Sequence, residues 1–258
     1  CITPNTTAIL AVHIWGQICN HKDLLALCKK HQIELIYDAS HAFGCRNELY
    51  TISETGTASV VSMHATKIIH SLEGGFITTR NIELANKLKY MRNFGFTGYD
   101  EVKYLGINAK MNEISALIGL KNATNLAKIV KHNLTNYLEY EKVFESISGL
   151  KMLKYDSNHQ NNFQYIVVRV DSIIFPLDRD EFVFLLHKRN IYVRKYFYPG
   201  CHQSPIYSKI LPKVSLNTTN TVCSQIVIFP NGLSVSVKTV KTIRSLIEDI
   251  LKNATAKS

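Results

Sequence analysis

Four short apolar runs, two of them separated by a helical pattern, constrain this chain more than any other feature. Residues 7–14 (TAILAVHI) read as a buried strand. Residues 22–31 repeat apolar side chains at helical spacing, with Leu24, Leu27 and Cys28 on one face. A second run, 33–37, ends at Asp38; a third covers 58–63 and a fourth 75–79. Residues 82–91 place Leu84, Ala85, Leu88 and Met91 on one helical face. Short buried strands divided by a helix predict an open α/β sheet, at least partly parallel. In such sheets ligand-binding residues lie just beyond the strand carboxyl ends, and Asp38 stands at one.

From 110 to about 146 the pattern is helical, without proline and with the single glycine Gly119, so one long helix joining two lobes is expected. After Gly149 come strand-like 163–170, a helix over 178–189 and strand-like 191–198. A Pro199–Gly200 turn follows, then a strand at 226–229 and a final helix over 236–252. These predict a second, α+β unit.

Composition removes several classes. The chain is 46% hydrophobic and 19% charged, as expected of a soluble globular protein. No apolar run nears the roughly 18 residues of a membrane span. The formal charge is +10, but no five basic residues are consecutive. An anionic small ligand or a solvated basic surface accounts for that charge, and no nucleic-acid partner is expected. Cys1, Cys19, Cys28, Cys45, Cys201 and Cys223 form no CxxC and no zinc spacing, which fits inert thiols in a reducing compartment. With no basic-then-apolar leader, a cytoplasmic location is expected, and Asn-x-Ser/Thr sites such as Asn122 read as chance.

The chemistry is concentrated between Asp38 and Gly75, in YDASHAFG (37–44), SMHATK (62–67) and EGG (73–75). An acid at one strand end and a lysine after the next strand suit pyridoxal phosphate. That cofactor needs a carboxylate on its pyridine nitrogen, to keep the ring an electron sink, and a lysine to hold its aldehyde as a Schiff base. The residues by themselves leave plainer readings open. Asp38 would serve as a helix cap, His41 as a hydrogen-bonded core residue and Ser62 as a buried strand serine. Asn108 would cap a helix starting near 110, and Lys67 would be a surface lysine. His64 and His70 flank that lysine, but no third ligand has suitable spacing, so no metal is expected.

HIWGQ (13–17), YDASHAFG, SMHATK, EGGFITT (73–79), RNFGF (92–96) and GINAKMNEISALIGL (106–120) occur in that order. Together they resemble the DegT/DnrJ/StrS family of pyridoxal-phosphate-dependent nucleotide-sugar aminotransferases, and VRKYFYPGCH (193–202) resembles its small-domain signature. The resemblance implies the type I, aspartate-aminotransferase-like fold: a partial large domain with a mixed sheet plus a C-terminal α+β small domain. The implied boundaries are 1–121 for the C-terminal part of the cofactor-binding domain, 122–148 for a connecting helix and 149–258 for the small domain.

By the same resemblance Lys67 carries the cofactor and shuttles a proton, while Asp38 pairs with the pyridinium nitrogen. His41 lies against the ring, and Ser62 binds the cofactor phosphate. Asn108 reaches the phosphate of the neighbouring subunit, in a homodimer with shared active sites. Tyr196, Tyr198 and His202 are candidate sugar contacts, the alternative being core packing and a turn. The implied substrates are a nucleotide-linked keto-sugar, with a lean toward dTDP-4-keto-6-deoxyhexoses, and an amino-acid donor such as glutamate. The implied setting is cell-surface polysaccharide synthesis.

The family's chains begin earlier, so an N-terminally truncated chain is expected, lacking a phosphate-cradling turn and a ring-stacking aromatic. The alternatives are a dehydratase of the same fold, which carries histidine in place of the lysine, and a non-catalytic relic or partner subunit.

Overall fold

The computed structural model describes residues 1–48, 50–210 and 214–255. The chain forms two compact units. The first is Cys1–Val130 with Tyr155–Asn162, and the second is Lys131–Lys154 with Phe163–Ser258, of which 256–258 lie outside the described residues. Beside the boundaries read from the sequence, this grouping divides the connecting helix between both units and returns an eight-residue segment to the first.

In the first unit, β1 (Ala8–Val12), β2 (Glu34–Asp38), β3 (Ala58–Ser62) and β4 (Gly75–Thr78) lie in that order in one sheet. β1, β2 and β3 are parallel and β4 runs antiparallel to β3, making the sheet mixed. Helix α1 (His21–His31) starts where the Asn20 side chain accepts the Asp23 N–H, and ends in a basic turn that suits the helix dipole. It buries Cys28 against Leu35 and Tyr37, with Leu24 and Leu25 beside them. Leu27, expected on that face, is exposed instead, because the sheet contact runs along Leu24, Leu25 and Cys28.

β1 also departs from expectation. It pairs only with β2, and Leu10 and Val12 are 66% and 44% exposed rather than buried. Apolar content made it look central, but its outward row is covered by no described element. The same row carries Asp38 and Val60, which the register aligns with Val12.

After α2 (Ile82–Met91), the expected long helix is two. They are α3 (Glu113–Ala123), capped by Asn112, and α4 (Leu126–Glu145). The break falls where Thr124 Oγ1 and Asn125 Nδ2 both turn back to the Lys121 carbonyl, taking an acceptor that a continuous helix needs. Gly119 has a purpose here. A Cβ at that position would sit 2.9 Å from Met63 Cε and 3.2 Å from Ser71 Cβ, so glycine lets α3 close on the loop after β3.

The second unit packs an antiparallel sheet of β5 (Leu150–Met152), β6 (Ile166–Val170) and β7 (Ile226–Phe229) with α5 (Arg179–His187), α6 (Asn217–Gln225) and α7 (Val237–Thr255). Val240, Ile243, Ile247 and Ile250 form the buried stripe of α7. Phe175 and Phe182 pack at 4.9 Å, and Phe144 and Phe229 at 5.0 Å, in its core.

Two strand expectations shorten. Residues 163–165 are not strand, since Phe163 adopts φ 51°. Residues 191–198 make only the Arg194–Ile228 bridge before turning at Tyr198 and Gly200, whose N–H groups donate to the Lys195 and Phe197 carbonyls. Among the described residues no helix is long and apolar enough to cross a membrane.

Ile69 is fully buried in a cluster with Met63 and Ile68, against Phe43, Leu126 and Ile129. Ile69→Ala should destabilise the protein by about 3 kcal/mol through lost transfer energy and a residual cavity, read from urea unfolding. A loss below about 1 kcal/mol would show that this cluster contributes little.

Candidate active site

β2 and β3 run parallel, so both deliver their next residues to the same edge of the sheet. Asp38 ends β2 and its Oδ1 accepts the Ser40 N–H at 2.9 Å, which starts a tight turn rather than capping a helix. The turn carries buried His41 beneath it. His41 Nδ1 accepts the Trp15 N–H at 3.1 Å, which places the ring proton on Nε2.

Ser62 ends β3, and its Oγ accepts the His64 N–H at 3.3 Å. The chain then folds over Lys67. The Lys67 N–H donates to the His64 carbonyl, the Ser71 N–H to the Met63 carbonyl, and Asn122 Nδ2 ties the His70 carbonyl to α3 at 2.8 Å. Ile68 and Ile69, both buried, pin the residue after which they follow. Lys67 itself is half-buried.

Asp38, His41 and Lys67 lie within electrostatic reach of one another. Burial lowers Lys67 below the ordinary lysine range, and the Asp38 carboxylate opposes that shift. Burial first, and then the Lys67 charge, bring His41 down to about 4, again with Asp38 acting the other way. His13 is likewise brought down to about 4, by burial and by His21, with Asp38 opposing. One acid thus acts on one lysine and two neutral histidines.

Asn108 is not in this cluster. It lies exposed, bridged through its backbone to Asn93, and Asn112 rather than Asn108 caps α3. Tyr196, Tyr198 and His202 belong to the second unit. There His202 Nε2 is 2.7 Å from Asn220 Oδ1, and the Tyr196 and Tyr198 rings lie against cations.

Several supporting residues escaped sequence reasoning. Buried Asn162 donates from Nδ2 to the carbonyls of His41 and Phe43, at 3.0 and 3.1 Å. Asn161 donates to Gly16 and the Tyr155 hydroxyl to Trp15. They form a strap from far along the chain, and only tertiary structure identifies it. His13, in HIWGQ, stacks on Tyr37 at 4.5 Å.

A family profile described as the DegT/DnrJ/EryC1/StrS aminotransferase family matches residues 1–248. The chain belongs to this family. A dTDP-4-amino-4,6-dideoxy-D-glucose transaminase of Shigella dysenteriae is 30% identical over 249 residues, covering 96% of this chain and 68% of that protein. The Escherichia coli protein of the same name is 29% identical, with 95% and 67% covered. Among solved structures, DesI with its TDP-sugar product superposes at a TM-score of 0.89 and 30% identity, covering 95% of this chain and 62% of DesI. Helicobacter pylori PseC, at 24% identity and a TM-score of 0.89, shows the same fold. The chain therefore spans about two thirds of the length of the curated relatives it matches, and less of DesI. The fold is the type I fold, and the family's cofactor is pyridoxal phosphate.

The residues present fit that cofactor. Lys67 is an amine whose burial favours the neutral form that attacks an aldehyde. Asp38 is a carboxylate at the neighbouring strand end, within electrostatic reach of it. The His13 N–H donates to the Asp38 carbonyl at 2.9 Å, and two buried polar atoms of this segment, His13 Nε2 and Trp15 Nε1, find no protein partner among the described residues.

His13 and His41 also give the fold a pH dependence. Both are neutral when folded down to about pH 4, while an unfolded histidine takes up its proton near 6.5. Stability is therefore complete above pH 6.5 and falls as pH drops from 6.5 toward 4, by about 2 kcal/mol per histidine at pH 5. The urea midpoint should drop between pH 7.5 and 5, and His41→Gln should flatten that drop. Equal midpoints at the two pH values would mean that both rings accept protons while folded.

Proposed function

We propose that this chain carries the catalytic half-site of a transaminase that moves an amino group from an amino acid, glutamate by preference, to the keto group of a nucleotide-linked sugar. The observation that carries the reading is the electrostatic cluster of Asp38, His41 and Lys67 at the ends of two parallel strands. Pyridoxal phosphate, when bound, supplies a ring that takes up the electron pair left as a proton leaves the substrate carbon. Asp38 would face its pyridine nitrogen and keep a proton there. Ser62 would hold its phosphate, and His41, held by Trp15 and Asn162, would lie against its ring. Lys67 would hold the aldehyde carbon and, once released, carry the proton to and from the substrate carbon.

The curated relatives named above act on dTDP-sugars, and DesI was solved with a TDP-sugar. Their similarity supports a dTDP-4-keto-6-deoxyhexose as the acceptor; Tyr196, Tyr198 and His202 are proposed as its sugar contacts. A Bacillus subtilis relative named as a spore coat polysaccharide biosynthesis protein, 26% identical, supports a polysaccharide destination, and a cytoplasmic enzyme is part of the same proposal.

A homodimer with shared sites is part of the same reading. Ile114, Leu117 and Leu120 are each about 70% exposed in one stripe along α3, and exposed Asn108 lies a few residues before them. An exposed apolar stripe of this kind supports a subunit interface here. Leu117→Glu should shift the protein toward monomer in sedimentation velocity; an unchanged distribution would put the interface elsewhere.

Lys67 is tested by incubation with pyridoxal phosphate, borohydride reduction and peptide mapping. The label should fall on Lys67 and vanish in Lys67→Ala; label on another lysine overturns the assignment. Asp38→Asn should retain trapping at Lys67 while lowering amino transfer at least 100-fold, because the ring would lose its proton. Unchanged transfer would make Asp38 structural.

A further inference from the structure

Helix α5 opens with Asp178 accepting the Glu181 N–H, which sets Arg179 and Asp180 in its first turn. Arg179 is 5% exposed. Its Nη1 donates to the carbonyls of Cys223 and Ile226 at 2.7 and 3.0 Å, at the end of α6, and its Nε donates to Asp180 Oδ1 at 2.7 Å. Lys195 Nζ donates to that same oxygen at 2.8 Å. Both cations then meet one ring. The Arg179 guanidinium carbon is 4.7 Å and Lys195 Nζ 4.8 Å from the centroid of Tyr198. Tyr198 is still 49% exposed, so part of its surface is free for a ligand.

The two cations are held differently. Arg179 is fixed by two carbonyls whether or not Asp180 is charged. Lys195 is a flexible stem whose ammonium meets the Asp180 carboxylate and the Tyr198 ring. Asp180 Oδ1, accepting from both, offsets the repulsion between the two cations that meet this ring. Partial burial alone would raise the Asp180 pKa, yet the hydrogen bonds from Lys195 and Arg179 outweigh it and hold the carboxyl below the usual aspartate range.

We propose that Asp180 is a positioning residue for Tyr198: by holding Lys195 beside Arg179 it fixes the plane in which this ring meets the sugar of the nucleotide-linked substrate. The proposal rests on the reading of Tyr198 as a sugar contact. It adds the residue that sets the contact's geometry and the cation through which it acts.

The test uses the 258-residue chain, with the Lys195 ε-methylene protons followed by NMR and dTDP-glucose as the titrated probe. In the parent protein the Tyr198 ring current should shift the Lys195 signals upfield. Asp180→Asn should return them toward free lysine values, with the Tm held within a few degrees. Asp180→Asn and Lys195→Met should each weaken dTDP-glucose binding about fivefold, and the double variant should be no weaker than either alone.

Unmoved Lys195 signals in Asp180→Asn, or additive losses in the double variant, would overturn the positioning role. So would full affinity in both single variants while Tyr198→Leu binds weakly. Full affinity in Tyr198→Leu, or no binding by the parent chain, would instead overturn Tyr198 as a sugar contact, and the proposal with it.

Discussion

Parallel pairing of β2 with β3, Asp38 opposite Val60, is the constraint on which the rest of the first unit depends. Parallel strands end on one edge of a sheet, so the chain leaving β2 and the chain leaving β3 must turn in the same place. The first exit is a tight turn started by the Asp38 side chain, and it delivers His41. The second is longer, and it delivers Lys67 between a serine at its start and two buried isoleucines at its end. An antiparallel pairing of the same residues would put the acid and the lysine at opposite edges.

Burial then decides the chemical state of what the strands bring together. Removing Lys67 and His41 from water disfavours their charged forms, while Asp38 favours them. For His41 burial and the Lys67 charge prevail, and the ring stays neutral through physiological pH. Such a ring can lie against a cofactor without bringing a second positive charge to it. That state needs a rigid surround, which the Tyr155–Asn162 strap provides by bonding the backbone on both sides of the site. The strap is a short segment of low apolar content, and its asparagines use their amides on the carbonyls of Gly16, His41 and Phe43.

In the second unit the ordering element is a buried cation. Arg179 closes the carbonyl end of α6 and touches Tyr198, so helix, loop and aromatic face are referred to one planar group. A lysine there would offer no such fork of donors in a single plane.

Much of this was legible in the sequence because it is written in local periodicity. α2 and β7 fall on the expected residues, and α1, α5 and α7 within a few. An open, partly parallel sheet followed from apolar runs of strand length, and the family, with its mixed sheet, from the ordered motifs. Local signals failed where a tertiary contact overrode them. β1 is apolar enough for a central strand, yet Leu10 is exposed because nothing described covers its row. The polar α6 has no stripe to reveal it and is held by Arg179 and Asn220 contacts. The helix break at Thr124–Asn125 depends on side chains choosing a backbone acceptor. By itself the sequence determined most of the elements and the fold class, and it singled out Asp38 and Lys67 as candidates, since periodicity and motif order are properties of the chain. Only tertiary structure decided that Asp38 lies within reach of both Lys67 and His41, that Asn162 straps the His41 turn, and that Asp180 joins Arg179 to Lys195. Those are contacts across space, and the burial that gives them their strength exists only once the chain has closed around them.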